Sequence, residues 1–288
     1  MSNSRSAHDP RNPSNPNAPR PRSAAPLKQR ANTPSDGIRL SKRVAVLASC
    51  SRAEAECYIQ GGWVRVNGVV IEQPGHRIAS EKIELDPHAS LLPQPAITML
   101  LHKPPDFDAL QGHRPALQLI SGASHARVDV SKVRMLQQHF VDLTPVTPLE
   151  TGASGLVVFT KDWAVQRKLV EDASRIEHEV IAEVRGELTE RTLRALNRSQ
   201  VVDGRAMLAA KVSVSHQTDQ EPDQKPRVHD PITGLRFAIK GYHPGQIKQL
   251  CEGVGLQLLS IKRIRVGRVM MSSLPEGQWR YLAAHERF

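Results

Sequence analysis

The sequence predicts an α+β protein in which a small helix–helix–hairpin unit precedes a larger domain of strands and short helices. Near the N-terminus, two stretches of helical periodicity are followed by apolar residues that alternate around a turn dipeptide. Farther along, several apolar runs alternate in the manner of strands and are separated by short helical stretches. A chain of 288 residues with 39% hydrophobic residues has room for both units and for a core.

The charge of the chain indicates a polyanionic partner. The formal net charge is +10, and a basic balance of this kind fits RNA, DNA or an acidic membrane. No apolar run approaches the length of a membrane-spanning helix, and the N-terminus lacks the hydrophobic segment of a signal peptide, so we expect a cytoplasmic protein. The 3 cysteines and 12 histidines show no metal-ligand spacing, which predicts reduced thiols and no bound metal.

Residues 1–36 are predicted to form a disordered basic tail. The segment is rich in Pro, Asn, Ser and Arg and contains almost no large apolar side chains, so it cannot bury enough surface to offset the entropy of ordering. Its cations either attract phosphates loosely or belong to a solvated spacer. These cations are Arg5, Arg11, Arg20, Arg22, Lys28 and Arg30.

Residues 37–88 carry the pattern of two helices and a hairpin. Apolar residues from Leu40 to Ala48 stand at helical spacing. Ser51 is a candidate N-cap for a second helix, which we expect to stop at Gly61. Valines then alternate around an Asn-Gly dipeptide at positions 67–68, a sequence that favours two-residue hairpin turns.

A short linker with two prolines, residues 89–96, leads to the larger domain, residues 97–288. The central feature of this domain is a proline-stiffened loop that begins at Leu143 and carries Glu150 shortly before an apolar strand, residues 156–160. Catalytic groups are often placed on rigid loops of this kind. From composition alone, an exposed glutamate without a role is the simpler interpretation.

Strands and short helices alternate in the rest of the chain. A short helix is predicted that has Trp163, Gln166, Leu169 and Val170 on one face. Strands are predicted over residues 178–184, 212–214 and 235–239, and the polar stretch 218–229 is a predicted loop. An amphipathic helix is predicted from Ile247 to Gly255.

The central loop resembles a known signature. In the bacterial ribosomal pseudouridine synthases that carry an N-terminal alpha-L RNA-binding domain, the corresponding loop reads G-R-L-D-x-x-T-S-G-L-L-L-L-T-N-D. The matching residues are Leu149, Ser154, Gly155, Leu156, Thr160 and Asp162. Glu150 stands at the position of the catalytic Asp, Pro148 at that of the Arg and Thr147 at that of the Gly.

The resemblance covers roughly residues 38–282. In the N-terminal unit it rests on Leu40, Lys42, Ser51, Arg52, Glu54, Ala55, Ile59, Gly62 and the run V-R-V-N-G at positions 64–68. Near the C-terminus, L-P-E-G-Q-W-R at positions 274–280 is similar to the family's L-P-x-G-E-W-R. The resemblance implies an alpha-L RNA-binding domain followed by a mixed, mostly antiparallel sheet domain of the pseudouridine synthase type with flanking helices.

The resemblance also implies an activity, the isomerisation of uridine to pseudouridine in structured RNA. Ribosomal RNA is the expected partner, no cofactor is needed, and the chain is expected to be a monomer. Glu150 would be the catalytic carboxylate and Arg263 its ion-pair partner, while His178 stands where the family has a base-stacking Tyr and would stack or transfer a proton. The implied RNA contacts are Lys42, Arg43, Arg52, Arg65, Lys103, Lys248, Lys262 and Arg265.

Departures from the family pattern leave two functions open. Glu has one methylene more than Asp, which displaces its oxygens by about 1 Å or more, and a misplacement of that order can lower a rate by ~10²-fold. Pro148 supplies no guanidinium, and two of the three arginines of the family's R-Q-I-R-R-M helix are absent from positions 245–250. These changes predict weak or no isomerisation. The chain is either a synthase with an altered carboxylate or a non-catalytic RNA-binding relative that serves assembly.

Overall fold

A computed structural model of the chain describes residues 37–92, 95–198, 200–202, 205–207, 209–217 and 231–288. The predicted basic tail and the predicted loop at 218–229 lie outside these residues.

Two helices and five short strands make up the N-terminal unit. In chain order they are β1 (Ile38–Arg39), α1 (Leu40–Leu47), α2 (Arg52–Gln60), β2 (Val64–Val66), β3 (Val69–Val70), β4 (Arg77–Ile78) and β5 (Ile83–Leu85). Strand β2 lies between β3 and β5 in one antiparallel sheet, and β1 pairs with β4. The side chains that form its own small core are Leu40, Val44, Ala55, Ile59, Val64, Val66 and Ile78.

The predicted helix cap and hairpin turn of this unit are both confirmed. The Ser51 hydroxyl accepts from the Glu54 N–H at 3.2 Å, and the Glu54 carboxylate accepts from the Ser51 N–H at 2.8 Å, which forms a capping box. Asn67 and Gly68 have φ of 50° and 82°. Positive φ at both central residues is the requirement of the tight hairpin turn that Asn-Gly favours.

The larger domain contains the remaining elements. Its strands are β6 (Thr98–Lys103), β7 (Thr144–Pro145), β8 (Ser154–Thr160), β9 (Glu177–Arg185), β10 (Gln200–Val202), β11 (Arg205–Met207), β12 (Lys211–Gln217), β13 (Ile232–Lys240), β14 (Gln257–Val266), β15 (Val269–Met270) and β16 (Trp279–Tyr281). Its α-helices are α3 (Trp163–Glu171), α4 (Glu190–Leu196) and α5 (Gln246–Glu252). Short 3₁₀ turns span Ala116–Leu119, Gly122–Ser124, Gln137–Phe140 and Ala173–Arg175. Within the described ranges, no helix is long and apolar enough to cross a membrane.

A nine-stranded mixed sheet organises this domain. Its main path runs β12-β13-β9-β14-β8-β6-β16, with β7 paired to β8 and β15 paired to β14. Strands β8 and β14 are parallel, whereas the other recorded pairs of this sheet are antiparallel. The predicted α+β class with a mixed, mostly antiparallel sheet is therefore confirmed.

The parallel contact explains one of the two loop glycines. Gly155 has φ of 114°, and a Cβ atom placed on it would lie 2.5 Å from the backbone nitrogen of Arg263. Only glycine allows β8 and β14 to approach this closely. The register that results places Arg263 opposite Gly155 and Lys262 opposite Ser154. A Cβ atom placed on Gly152 would have open space around it, so steric contacts do not require glycine at that position.

Two apolar clusters cover the central strands. Val157 and Phe159 of β8 join the larger cluster together with Val180, Phe237 and Ile247. The alternate residues of β8 and β6 contribute to the second cluster, whose members include Leu100, Leu156, Val158 and Leu169. This alternation is the period-two pattern of a strand buried on both sides.

The structure corrects two helix predictions. Trp163 and Val170 do not share the buried face of α3, because their side chains are 68% and 57% exposed. Leu169 is buried there, and Val165 packs against the second cluster, so a pair four residues apart sets the buried face. Helix α5 ends at Glu252 rather than at Gly255.

Arg134 connects the N-terminal unit to the larger domain. Its guanidinium donates to the Gly62 carbonyl at 2.7 Å and to the Asp86 carboxylate at 2.9 Å, and it lies 4.0 Å from the centroid of the Trp63 ring. One side chain of the larger domain thus holds three residues of the N-terminal unit through charged, polar and cation–π contacts.

We expect Arg134→Ala to lower the free energy of unfolding by about 1–2 kcal/mol, because one arginine supplies two hydrogen bonds and a ring contact. Urea denaturation of the full chain measures this. The matched control is Arg52→Ala, which removes an exposed pair with Glu56 on α2 and should change the stability by less than about 0.5 kcal/mol. Equal effects of the two substitutions would contradict a docking role for Arg134.

Candidate active site

The loop that carries Glu150 is packed against the body of the domain on both sides of the carboxylate. Leu149 and Ala153 are buried in the larger cluster, while Glu150 itself is half-buried. Upstream, the Thr147 hydroxyl accepts from the Val158 N–H at 2.9 Å. The loop is therefore a fixed part of the fold, as its two prolines predict.

Arg263 of β14 is buried beneath this loop. Its guanidinium donates to the carbonyls of Leu156 at 2.8 Å, Pro148 at 2.7 Å and Thr147 at 3.0 Å. Burial lowers the pKa of Arg263 to about 10, while Tyr242 and Glu150 oppose the shift, so the group stays charged at neutral pH. Arg263 thus forms no ion pair with Glu150 of the kind predicted. It makes three hydrogen bonds to the backbone of the loop that carries Glu150, an arrangement called a brace below.

Lys103 braces the same loop from the end of β6. Its ammonium group donates to the carbonyls of Pro104, Phe107, Thr151 and Ala153 at 2.6–3.1 Å, and its side chain is fully buried. Burial and the nearby charge of Arg263 lower its pKa to about 8. The expectation that Lys103 contacts RNA needs correction, because a phosphate has no access to an ammonium group enclosed by backbone carbonyls.

Two groups on a single segment hold the Glu150 carboxylate. The Tyr242 hydroxyl donates to Oε2, and the Gly245 N–H donates to Oε1 at 2.7 Å. Sequence reasoning missed Tyr242, which lies 92 positions from Glu150 and belongs to no matched motif. The available signal was the segment Gly241–Gly245 itself, which joins a strand to an amphipathic helix and is bounded by glycines of φ 63° and 86°.

His178 contacts the ring of Tyr242. The two rings are stacked, with centroids 5.6 Å apart and an interplanar angle of 23°. His178 is buried, its Nδ1 lacks a hydrogen-bond partner among the described residues, and burial together with Arg263 and Arg265 lowers its pKa to about 3. The imidazole is therefore neutral near pH 7.

The remaining predicted RNA contacts fall into two groups. Arg265 donates to the carboxylates of Glu179 at 2.8 Å and Glu177 at 2.7 Å, so its charge is already paired within the sheet. The exposed members are Lys42, Arg43, Arg52, Arg65, Lys248 and Lys262. Of these, Arg52 pairs with Glu56 and Lys248 with Glu252, both on exposed helix surfaces where such pairs are weak.

The site contains one carboxylate, Glu150, that accepts hydrogen bonds from neutral donors. Two buried cations, Lys103 and Arg263, donate to backbone carbonyls of the same loop. Glu150, Tyr242, His178 and Arg263 form a continuous set of contacts, in which the Arg263 guanidinium lies 5.6 Å from the Tyr242 ring centroid. Among the described residues, no group of three or more His, Cys, Asp or Glu is placed to hold a metal ion.

Comparison with known proteins gives relatives of one kind. SVR1 of Arabidopsis thaliana chloroplasts, provisionally named a ribosomal large subunit pseudouridine synthase, is 26% identical over 239 residues; these cover 82% of this chain and 56% of SVR1. The chain thus spans little more than half of that relative. Ribosomal large subunit pseudouridine synthase B of Bacillus subtilis is 24% identical over 249 residues, which cover 86% of this chain and 93% of the relative. No family model matches the chain.

A solved structure supports the same grouping at the level of the fold. A crystal structure of a pseudouridylate synthase aligns with 85% of this chain and 96% of its own, with a TM-score of 0.51 and 18% identity. The overall fold is thus similar to that of this protein. The chain is therefore a homologue of the ribosomal large subunit pseudouridine synthases and has a pseudouridine synthase fold.

Proposed function

We propose that the protein is an RNA pseudouridine synthase that acts on structured RNA, with Glu150 as the catalytic carboxylate. The observation that carries this proposal is the double brace beneath the loop. Lys103 and Arg263 are fully buried and donate to carbonyls of Thr147, Pro148, Thr151, Ala153 and Leu156, on both sides of Glu150.

Burying two cations is unfavourable, with a desolvation penalty of several kcal/mol for each ion. A loop that merely connects two strands would not need this arrangement. A loop that must hold a reacting group within about 0.5 Å of its productive position does need it. The brace is thus an argument for a reaction at Glu150.

The reaction itself is an isomerisation. The C1′–N1 glycosidic bond of uridine breaks, the base turns over, and a C1′–C5 bond forms; C5 loses its proton and N1 gains one, so no oxidant, reductant or cofactor is required. The target nucleotide must first leave its stack. In this site the Glu150 oxygens accept from Tyr242 and Gly245. Since each carboxylate oxygen has a second lone pair, the side of the carboxylate away from these donors can face a ribose.

We propose ribosomal RNA as the substrate class, because the relatives are named for the large ribosomal subunit. The N-terminal unit would act as an alpha-L RNA-binding domain, with Lys42 and Arg43 of α1 as exposed phosphate contacts. In this proposal the protein works as a monomer in the cytoplasm. Association through phosphates would weaken with salt, because bound cations release counterions from the RNA.

Replacing Lys42 and Arg43 together by alanine should reduce the slope of log K against log salt by about 1.5, since each lost phosphate contact contributes roughly 0.7–0.9. Filter binding to a ribosomal RNA transcript between about 50 and 200 mM salt measures the slope. The matched control removes two cations from α3, Arg167 and Lys168, which are exposed and paired on their own helix. An unchanged slope for the first variant, or the same loss in both, would remove Lys42 and Arg43 from the interface.

A second function has one observation in its favour. Both oxygens of Glu150 already accept hydrogen bonds, and within the described part of the chain no cation forms an ion pair with the carboxylate. A relative that binds RNA without modifying it could tolerate such an arrangement.

Purified protein decides between the two functions. Incubation with ribosomal RNA transcripts, followed by pseudouridine-specific chemical labelling, should reveal a modified uridine at a defined position. Tight, salt-dependent binding of every transcript without any modification would support the non-catalytic function instead.

A further inference from the structure

We infer that Tyr242 is the positioning residue for Glu150, and that together they form a matched pair for which aspartate is too short. This inference rests on the proposed function and extends it to a residue outside the matched sequence motifs. It also reverses an expectation: the extra methylene of Glu150, which the sequence suggests is a defect, is required by the site.

The carboxylate of Glu150 is held at two points. Tyr242 and Gly245 both lie on the segment between β13 and α5, and they engage different oxygens of Glu150. A two-point contact fixes the orientation of the carboxylate plane as well as its position. Gly245 can donate there because it adopts a left-handed conformation, with φ of 86°, immediately before α5.

The side chain of Tyr242 is fixed by its packing in the core. Its side chain is 6% exposed, it belongs to the larger core cluster, and its ring is stacked on His178. The guanidinium of Arg263 lies 5.6 Å from the ring centroid, a distance at which cation–π attraction operates. Burial and the Glu150 charge raise the pKa of Tyr242, so its hydroxyl remains a donor at neutral pH. The ring therefore cannot move without disturbing the core.

The length of the side chain at position 150 decides whether the carboxylate reaches these donors. Removing one methylene from Glu150 withdraws the carboxylate by about 1.5 Å, the length of one carbon–carbon bond. Because Lys103 and Arg263 hold the loop backbone and the core holds Tyr242, neither side can close the gap. A contact of 2.7 Å to Gly245 would open to about 4 Å, beyond hydrogen-bond distance. The buried Tyr242 hydroxyl would lose its partner, which is unfavourable.

The first test does not require activity. The chain has 3 tyrosines, so ring-labelled tyrosine gives three assignable ¹³C NMR signals, and Tyr242→Phe identifies the signal of interest. Glu150→Gln and Glu150→Asp should each move the Tyr242 signal and leave those of Tyr58 and Tyr281 in place. Glu252→Gln, an exposed acid on α5, should move none. A Tyr242 signal that ignores both changes at position 150 would overturn the pair.

The second test measures kinetics with the same variants. Tyr242→Phe should lower kcat about tenfold or more with KM for RNA within about twofold, because the lost hydrogen bond acts on Glu150 and not on the substrate. Glu150→Asp should also lower kcat, although it keeps the charge. The double variant should be little worse than Glu150→Asp alone, since both changes break one contact.

Two kinetic outcomes would overturn the inference. One is full or improved activity of Glu150→Asp, and the other is a Tyr242→Phe variant with a raised KM and an unchanged kcat. If the substitutions at position 150 move the Tyr242 signal but the wild-type protein forms no pseudouridine, the proposed function is overturned and the Glu150–Tyr242 pair still stands. The two failures are therefore distinguishable.

Discussion

Replacing Glu150 by glutamine should lower pseudouridine formation by about 10³-fold or more while leaving the affinity for ribosomal RNA within about twofold of the wild type. Glutamine has the shape of glutamate and can still accept from Tyr242 or Gly245, so the loop should keep its conformation. It lacks the negative charge and the nucleophilic oxygens that act on the sugar. Single-turnover labelling of the target uridine measures the rate, and filter binding measures the affinity.

The matched control for this change is Glu252→Gln, which removes one negative charge from an exposed position on α5. Its rate and affinity should equal those of the wild type. Comparable activity of the Glu150→Gln variant and the wild type would show that another group performs the reaction. A parallel loss of affinity and rate would point instead to a role of Glu150 in binding.

Arg263→Leu should lower the free energy of unfolding by about 3 kcal/mol, because each buried polar group left without its hydrogen-bond partner costs about 1–3 kcal/mol. The substitution leaves the carbonyls of Thr147, Pro148 and Leu156 without their donor in a buried setting. Arg263→Lys should recover part of the loss, because a single ammonium group cannot reproduce the planar fork of a guanidinium. Urea denaturation followed by circular dichroism measures both variants.

Arg236→Leu on β13 is the comparison for this experiment. Arg236 is half exposed and pairs with Glu179 at 3.0 Å on the same sheet, and loss of such a pair is worth about 0–1 kcal/mol. If Arg263 holds the loop, Arg263→Leu should lower the free energy of unfolding clearly more than Arg236→Leu does. If both lowered stability equally, the buried guanidinium would not be holding the loop.

Local signals in the sequence predicted much of the fold. The cap at Ser51 and the turn at positions 67–68 depend on neighbouring residues, and both are present. The alternation over 178–184 and 235–239 predicted β9 and β13 because a strand buried on one face repeats every two residues. The exposed Trp163 shows the limit of this reasoning, since periodicity alone does not identify which side of α3 meets the core.

The site was less accessible to sequence reasoning. The motif around Glu150 was recognisable, but its partner Tyr242 is brought to it by the packing of β13 and α5, and no local pattern encodes that contact. The family resemblance implied RNA contacts at Lys103 and Arg265, two residue types that are usually exposed. Lys103 instead donates to backbone carbonyls, two of which lie 48 and 50 positions away. Arg265 donates to two glutamates of the paired strand β9.

The central proposal is that Glu150 is the group that converts uridine in ribosomal RNA. The most direct measurement is a pseudouridine map of ribosomal RNA from cells that lack the protein, complemented with either the wild type or the Glu150→Gln variant. We predict that one or more sites disappear in the absence of the protein, return with the wild type and stay absent with Glu150→Gln. Identical maps in all these cells, or restoration by Glu150→Gln, would contradict the account.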